Sequence, residues 1–148
     1  MGITYSFKDI DATLVSPSAN ISLGYGSGVA EGGITIEMAS DRNTMTIGTD
    51  GQGMHSLHVD RSGHVTIRLL QTSPYNSVLQ DLYDSQTQQG ASAWGQNTIT
   101  IRNVQSQDIT TATQCAFKRK PTITYQKDGT MLEWQFDSVA IDSVLGVY

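Results

Sequence analysis

Cysteine occurs once, at position 115, so this 148-residue chain has no internal disulfide and no cysteine-rich zinc knuckle. A buried, inert thiol in a reducing compartment is the expectation for Cys115. Charge is scarce as well. Asp, Glu, Lys and Arg make up 16% of the residues, against ~25% in ordinary domains. The net charge is −5, spread over both halves of the chain, and the only basic run is Lys118-Arg119-Lys120. Binding a nucleic acid backbone needs several cations on one face, so that run reads as a solvated strand end. No apolar stretch approaches the ~20 residues of a membrane-crossing helix. The start, Met1-Gly2-Ile3-Thr4-Tyr5-Ser6-Phe7-Lys8-Asp9, lacks the basic and apolar regions of a secretory signal, which predicts a protein made and folded in the cytoplasm.

What is present is enough for one core. The length suits a single domain over residues 1–148, and 38% of the residues are hydrophobic. Roughly a third are Ser, Thr, Asn or Gln, giving a polar but uncharged surface. Such a surface is cheaper to desolvate than a charged one and suits an oligomer.

Most apolar residues recur with period two, the mark of strands with one buried and one polar face. Four runs show it: Ile34–Met38, His64–Leu69, Asn97–Arg102 and Met131–Asp137. Beyond Phe136, Val139 and Ile141 have the opposite parity to Leu132, Trp134 and Phe136, which predicts a β-bulge near Asp137 and Ser138. Weaker strand signals lie at Ala12–Val15, Ile21–Leu23, Thr44–Gly48 and Ile109–Phe117. Asp128-Gly129 predicts a tight hairpin turn between Thr122–Tyr125 and Met131–Phe136. One helix is expected near 74–85, capped by Ser73 and opened by Pro74, with Tyr75, Val78, Leu79, Leu82 and Tyr83 on one face. Asp84–Gly95 has no periodicity and reads as an exposed connection, and Gly24–Gly28 as a bend beside a strand. The fold class is therefore mainly β, an antiparallel sandwich or barrel with one flanking helix.

The glycine-punctuated segment Ser40–Gly63 is too long for a plain connection and too poor in apolar residues for the core. It reads as a projecting loop, or as a hairpin pairing Thr44–Thr49 with Met54–Val59. His55, His58 and His64 with Asp50 or Asp60 offer ligand atoms but no zinc spacing, and read as loop histidines. No Gly-x-Ser-x-Gly elbow precedes a helix, and the glycine run lacks a phosphate-loop ending. Asp137 and Asp142 sit at polar strand positions where solvation accounts for them. The sequence predicts neither an enzyme nor a cofactor nor a metal.

Whole phrases of the chain resemble the tail tube proteins of contractile-tailed phages. They are Gly28–Glu31 before Gly33–Glu37, then Asn43–Gly48 and Gly53–His58, then Leu70–Pro74, Gly95–Thr100, Ala116–Lys118 and Ile141–Gly146. The resemblance implies two packed antiparallel sheets with one flanking helix, a fold shared with type VI secretion tubes. It also implies six-membered rings whose strands form a wide barrel, stacked into a conduit for DNA in the virion tail. Sheath, baseplate and tail terminator proteins are the implied partners, and DNA passes without specific binding. The acidic balance suits such a lumen, since it does not hold phosphates. Polar strand positions Thr35, Glu37, Thr66, Thr98, Thr100, Glu133, Gln135 and Asp137 are then the lumen candidates, tempered by Arg68 and Arg102. Contacts between rings fall to Ser40–Gly63, with Met45, Ile47, Met54 and Leu57 as anchors and Asp41, Arg42, Asp50, Asp60 and Arg61 at the rim. The alternative is a monomeric β-sandwich binding module of a baseplate or tail tip.

Overall fold

All four alternating runs become strands, because period-two burial is satisfied only by an extended backbone with one covered face. The computed structural model describes residues 3–6, 9–23 and 29–147. Seven strands form one sheet: β1 (Ile10–Val15), β2 (Asn20–Ser22), β3 (Val29–Met38), β6 (Gly63–Leu70), β7 (Asn97–Asn103), β8 (Asp108–Arg119) and β9 (Met131–Val144). Their order is β2-β1-β7-β8-β9-β6-β3, and every ladder is antiparallel. β4 (Asn43–Ile47) and β5 (Gly53–Leu57) pair only with each other. The run Gly24–Gly28 lies outside the described residues.

Chain length forces the sheet to curve. β2 and β3 stand at opposite edges, yet the seven peptide steps from Ser22 to Val29 reach at most ~25 Å. Six flat inter-strand spacings would put those edges ~29 Å apart. The sheet therefore folds over its own core, where Leu14 and Ile21 from one side join Val65, Ile67, Trp134 and Phe136 from the other. The two layers implied by the resemblance are halves of one continuous ladder.

Helix α1 (Tyr75–Gln89) covers the open side of this core with Leu79, Leu82 and the partly buried Tyr75 and Tyr83. The Ser73 hydroxyl accepts the Tyr75 N–H at 3.3 Å, and Pro74 takes the N-cap position at φ −66°. An edge-to-face chain of rings runs from Tyr83 through Phe117 to Trp134 and ties helix to sheet. Trp134 Nε1 donates to Asn76 Oδ1 at 3.1 Å, so the buried indole keeps a partner.

Three expectations are corrected. The helix runs to Gln89 and ends in a 3-10 turn, Gly90–Ser92, so half of the expected connection is helical. Gln86 is the reason: one turn beyond Leu82 it is buried and exchanges hydrogen bonds with the buried Asn97, at 2.7 and 3.1 Å. Hydrophobic periodicity cannot register a position buried through a polar pair. Next, Thr122–Tyr125 is not a strand, and in place of a tight turn at Asp128-Gly129 there is a bend at Lys127-Asp128 within the connection 120–130. Pro121 has no N–H for the ladder, so β8 ends at Arg119. Finally, side-chain parity in β9 changes between Ser138 and Ile141, not at Asp137. Pairing with β8 keeps one register from Ile109↔Val144 through Phe117↔Phe136, and Gln114, at φ 51°, absorbs the distortion with exposed Val139 opposite. Two register shifts lie in β8, one against β9 between Phe117 and Arg119 and one against β7 between Ala112 and Cys115, around Gln114.

Candidate assembly surfaces

Glu37, His64 and Asp137 lie side by side on one face of the sheet, followed by Thr35, Thr66 and Gln135 and then by Arg68 and Glu133. Thr100 stands between Thr13 and Thr111, with Thr98 next along the strand. All eight lumen candidates therefore share the polar face of the sheet, opposite the core. An ion pair lies on it: Arg68 Nε meets Glu133 Oε1 at 3.3 Å while its Nη1 donates to Thr35 Oγ1 at 2.8 Å. His64 Nδ1 lies 2.7 Å from Asp137 Oδ1, and Glu37 and Arg102 are exposed. The face thus presents hydroxyls, amides and charges of both signs.

The segment 39–62 is a strand-paired arm. Ala39 N–H donates to Ser62 O at 2.9 Å, continuing the β3–β6 pair before β4 and β5 take over. Asn43 pairs with Leu57 and Ile47 with Gly53; the strand bounds fall within a residue or two of the alternative hairpin reading, while Thr44 stands opposite Ser56. The tip closes through Gly48 N–H to Gln52 O at 2.7 Å and Asp50 Oδ1 to the Gln52 N–H at 3.2 Å. Gly51 sits at φ 87°, a value glycine adopts without strain.

Because paired residues share a face, register divides the arm into two unlike sides. Met45, Ile47 and Leu57 lie on one, with Asn43 and His55 hydrogen-bonded among them. Thr44, Thr46 and Ser56 lie on the other, where Thr44 Oγ1 contacts His58 Nε2 at 2.8 Å. Met54 falls on this polar side, apart from the three residues with which the sequence grouped it. Met45, Ile47 and Leu57 are 58%, 55% and 78% exposed.

Charges at the base of the arm are used within the chain. Asp60 accepts the Ser62 N–H at 2.9 Å and the Ser40 hydroxyl at 2.8 Å, and its pKa is lowered to about 2, first by its hydrogen bonds to Ser62 and then by Ser40, with Arg42 adding attraction. Arg42 Nη1 reaches His58 O at 3.4 Å. Arg61 Nη1 contacts both carboxylate oxygens of Asp142 on β9, at 2.9 and 3.0 Å. Asp41 and Asp50 remain exposed.

Catalytic chemistry finds little purchase. A cavity of about 480 Å³ opens between the connection after β8 and the start of β9, lined by Arg119, Lys120, Thr122, Met131 and Glu133 among others. It contains no His or Cys, and its one carboxylate is held by Arg68. Burial raises the Cys115 pKa, which suppresses the thiolate. Among the described residues, no group of three His, Cys, Asp or Glu is placed to hold a metal ion, and no helix is long and apolar enough to cross a membrane.

A curved antiparallel sheet with one flanking helix and a strand-paired arm defines a tube-type β protein. Solved structures place the same fold in contractile injection machines. A chain of the sheath–tube complex of an extracellular contractile injection system, PVC, in the extended state aligns with a TM-score of 0.64 at 11% identity, over 97% of this chain and 93% of that one. A chain of the sheath/tube terminator of PVC gives 0.60 at 13%, covering 97% and 99%. A chain of the anti-feeding prophage baseplate gives 0.62 at 8%, covering 97% of each. No curated protein matches the sequence significantly. The chain belongs to the bacteriophage PhiTE tail tube protein family, which matches residues 2–146. It is thus a structural tail tube protein, a component of the virion tail.

Proposed function

We propose that the protein, as a single tube domain over residues 1–148, assembles into hexameric rings that stack into the inner tube of a contractile tail and conduct DNA. Family membership over nearly the whole chain is the observation that carries this reading. The two-sided arm adds to it, since Met45, Ile47 and Leu57 are each more than half exposed and suit the surface of a neighbouring ring. Met54 contributes from the opposite side, and Asp41, Asp50 and the tip set the approach. The polar face with Thr35, Glu37, Thr66, Thr98, Thr100, Glu133, Gln135 and Asp137 lines the lumen. Its hydroxyls, amides and few cations let DNA slide without being held. Sheath, baseplate and terminator proteins are the partners, a reading supported by the likeness to chains of such assemblies. The subunit is made in the host cytoplasm and needs no cofactor, metal or catalytic residue.

Electron microscopy of concentrated purified protein tests this, with hollow stacked rings as the expected result. A species that stays monomeric at high concentration, by light scattering, overturns it. That outcome favours the second reading, a monomeric baseplate or tail-tip binding module, to which the likeness to a baseplate chain points.

A further inference from the structure

The arm is the least supported part of the fold, yet its root is gripped by a strand remote in sequence. Arg61 lies where the arm rejoins β6, and Asp142 stands near the end of β9. One guanidinium nitrogen of Arg61 reaches both oxygens of that carboxylate. The Arg61 carbonyl accepts the Ile141 N–H at 3.0 Å, and Arg61 forms a parallel bridge with Ala140. This contact departs from the antiparallel ladders around it. It falls just where β9 changes parity, so the distortion around Val139 presents Ala140–Asp142 to the returning arm.

Gly63 completes the fit. A Cβ on it would stand 2.5 Å from Glu37 O and 2.6 Å from Ile141 Cδ1, so only glycine lets β6 approach this closely. Next to Arg61 on the returning segment, Asp60 binds Ser62 beside it and Ser40 on the outgoing one. The root is thereby fixed to its own hairpin by Asp60 and to the body of the sheet by Arg61.

We propose that Arg61 and Asp142 form a latch that sets the direction of the arm before assembly, acting as positioning residues for stacking. The inference rests on the reading that the arm contacts the next ring. Without the latch, the root keeps the backbone bond from Ile141 to Arg61 and the Asp60 bonds but loses its side-chain tie to β9, which widens the range of directions the arm samples before docking. A preset arm removes that ordering cost. Both side chains are about half exposed, 47% and 64%, so the pair adds little to folding stability. Its effect falls on assembly.

The test measures the protein concentration at which tubes appear, by light scattering and electron microscopy, alongside the melting of the isolated subunit. Arg61→Ala and Asp142→Asn should melt like the parent yet need at least about tenfold more protein to assemble, because every subunit in a ring carries the same fault. Exchanging the charges, Arg61→Asp with Asp142→Arg, should restore most of the loss. A contact that merely stabilised the fold would instead lower the melting temperature of the single variants. Assembly of the single variants at the parental concentration, or failure of the exchange to rescue, overturns the latch. A variant with the tip around Asp50–Gly53 shortened separates the two ideas. If it blocks growth while Arg61→Ala does not, only the latch falls; if it too assembles normally, the stacking role of the arm falls with it.

Discussion

The sheet and the arm use the same period-two pattern to opposite ends. In β6, Val65, Ile67 and Leu69 alternate with His64, Thr66 and Arg68, and these three apolar residues are all buried. In β4 and β5, Met45, Ile47 and Leu57 also share one face, yet all three remain exposed. Alternation therefore reports that a face needs covering and is silent on what covers it. In the sheet the cover is the same chain. In the arm those residues stay open to solvent in the subunit, which is why the proposed function assigns them to a neighbouring ring.

Substitutions that damage the sheet should have the largest effects on folding. Phe136→Ala leaves a cavity beside Phe117 and Trp134 and should cost about 3–5 kcal/mol in urea denaturation. Gln86→Ala orphans the buried Asn97 amide and should cost about 1–3 kcal/mol, whereas the pair Gln86→Leu with Asn97→Leu should recover much of it. A loss after the double change equal to the sum of the single ones would show that the amides act independently. Gly63→Ala, at the junction of the two regions, should cost about 1–3 kcal/mol through the clash with Glu37 O and Ile141. Ser replacements at Met45, Ile47 and Leu57 should shift subunit stability by less than about 0.5 kcal/mol each while suppressing tube growth. A large drop in melting temperature would mean that the arm is part of the core after all.

The smallest effect is one of acidity. Asp60 has a pKa of about 2 in the fold, below the ordinary 3.8, so its bonds to Ser40 and Ser62 favour the folded arm root fully above 3.8 and are lost as pH falls toward 2. Nuclear magnetic resonance in that range should show the root amides of Ser40 and Ser62 moving before those of β6. Simultaneous movement of both would indicate that arm and sheet respond to acid as one unit.

Sequence alternation reveals the strands, because most of them bury one face under their own chain, although at the β3 edge Ile36 and Met38 stay exposed. It locates the helix through Leu79 and Leu82 but stops short of Gln86, whose burial depends on an amide partner eleven residues away. The Asp128-Gly129 signal overstates a local turn, since Pro121 ends the ladder that the turn was to continue. Of the assembly surfaces, the polar face is legible as one set because cross-strand neighbours inherit the alternation. The arm is legible as an outlier in composition. Its division between Met54 and the other apolar residues is not, since that depends on pairing register. The contact between Arg61 and Asp142 joins residues 81 apart and follows only from the topology.

Cys115 turns the folded sheet into its own reporter. The thiol is wholly buried in β8, its Sγ 3.3 Å from Ala112 O, and burial holds it in the unreactive protonated form. No other cysteine competes for reagent. Alkylation at this one atom therefore proceeds only when β8 separates from its surroundings, and its rate under native conditions measures how often that opening occurs. A subunit locked on all sides by neighbours should open less often than a free one. The labelling rate, followed during polymerisation, thus becomes a clock for when a subunit ceases to breathe.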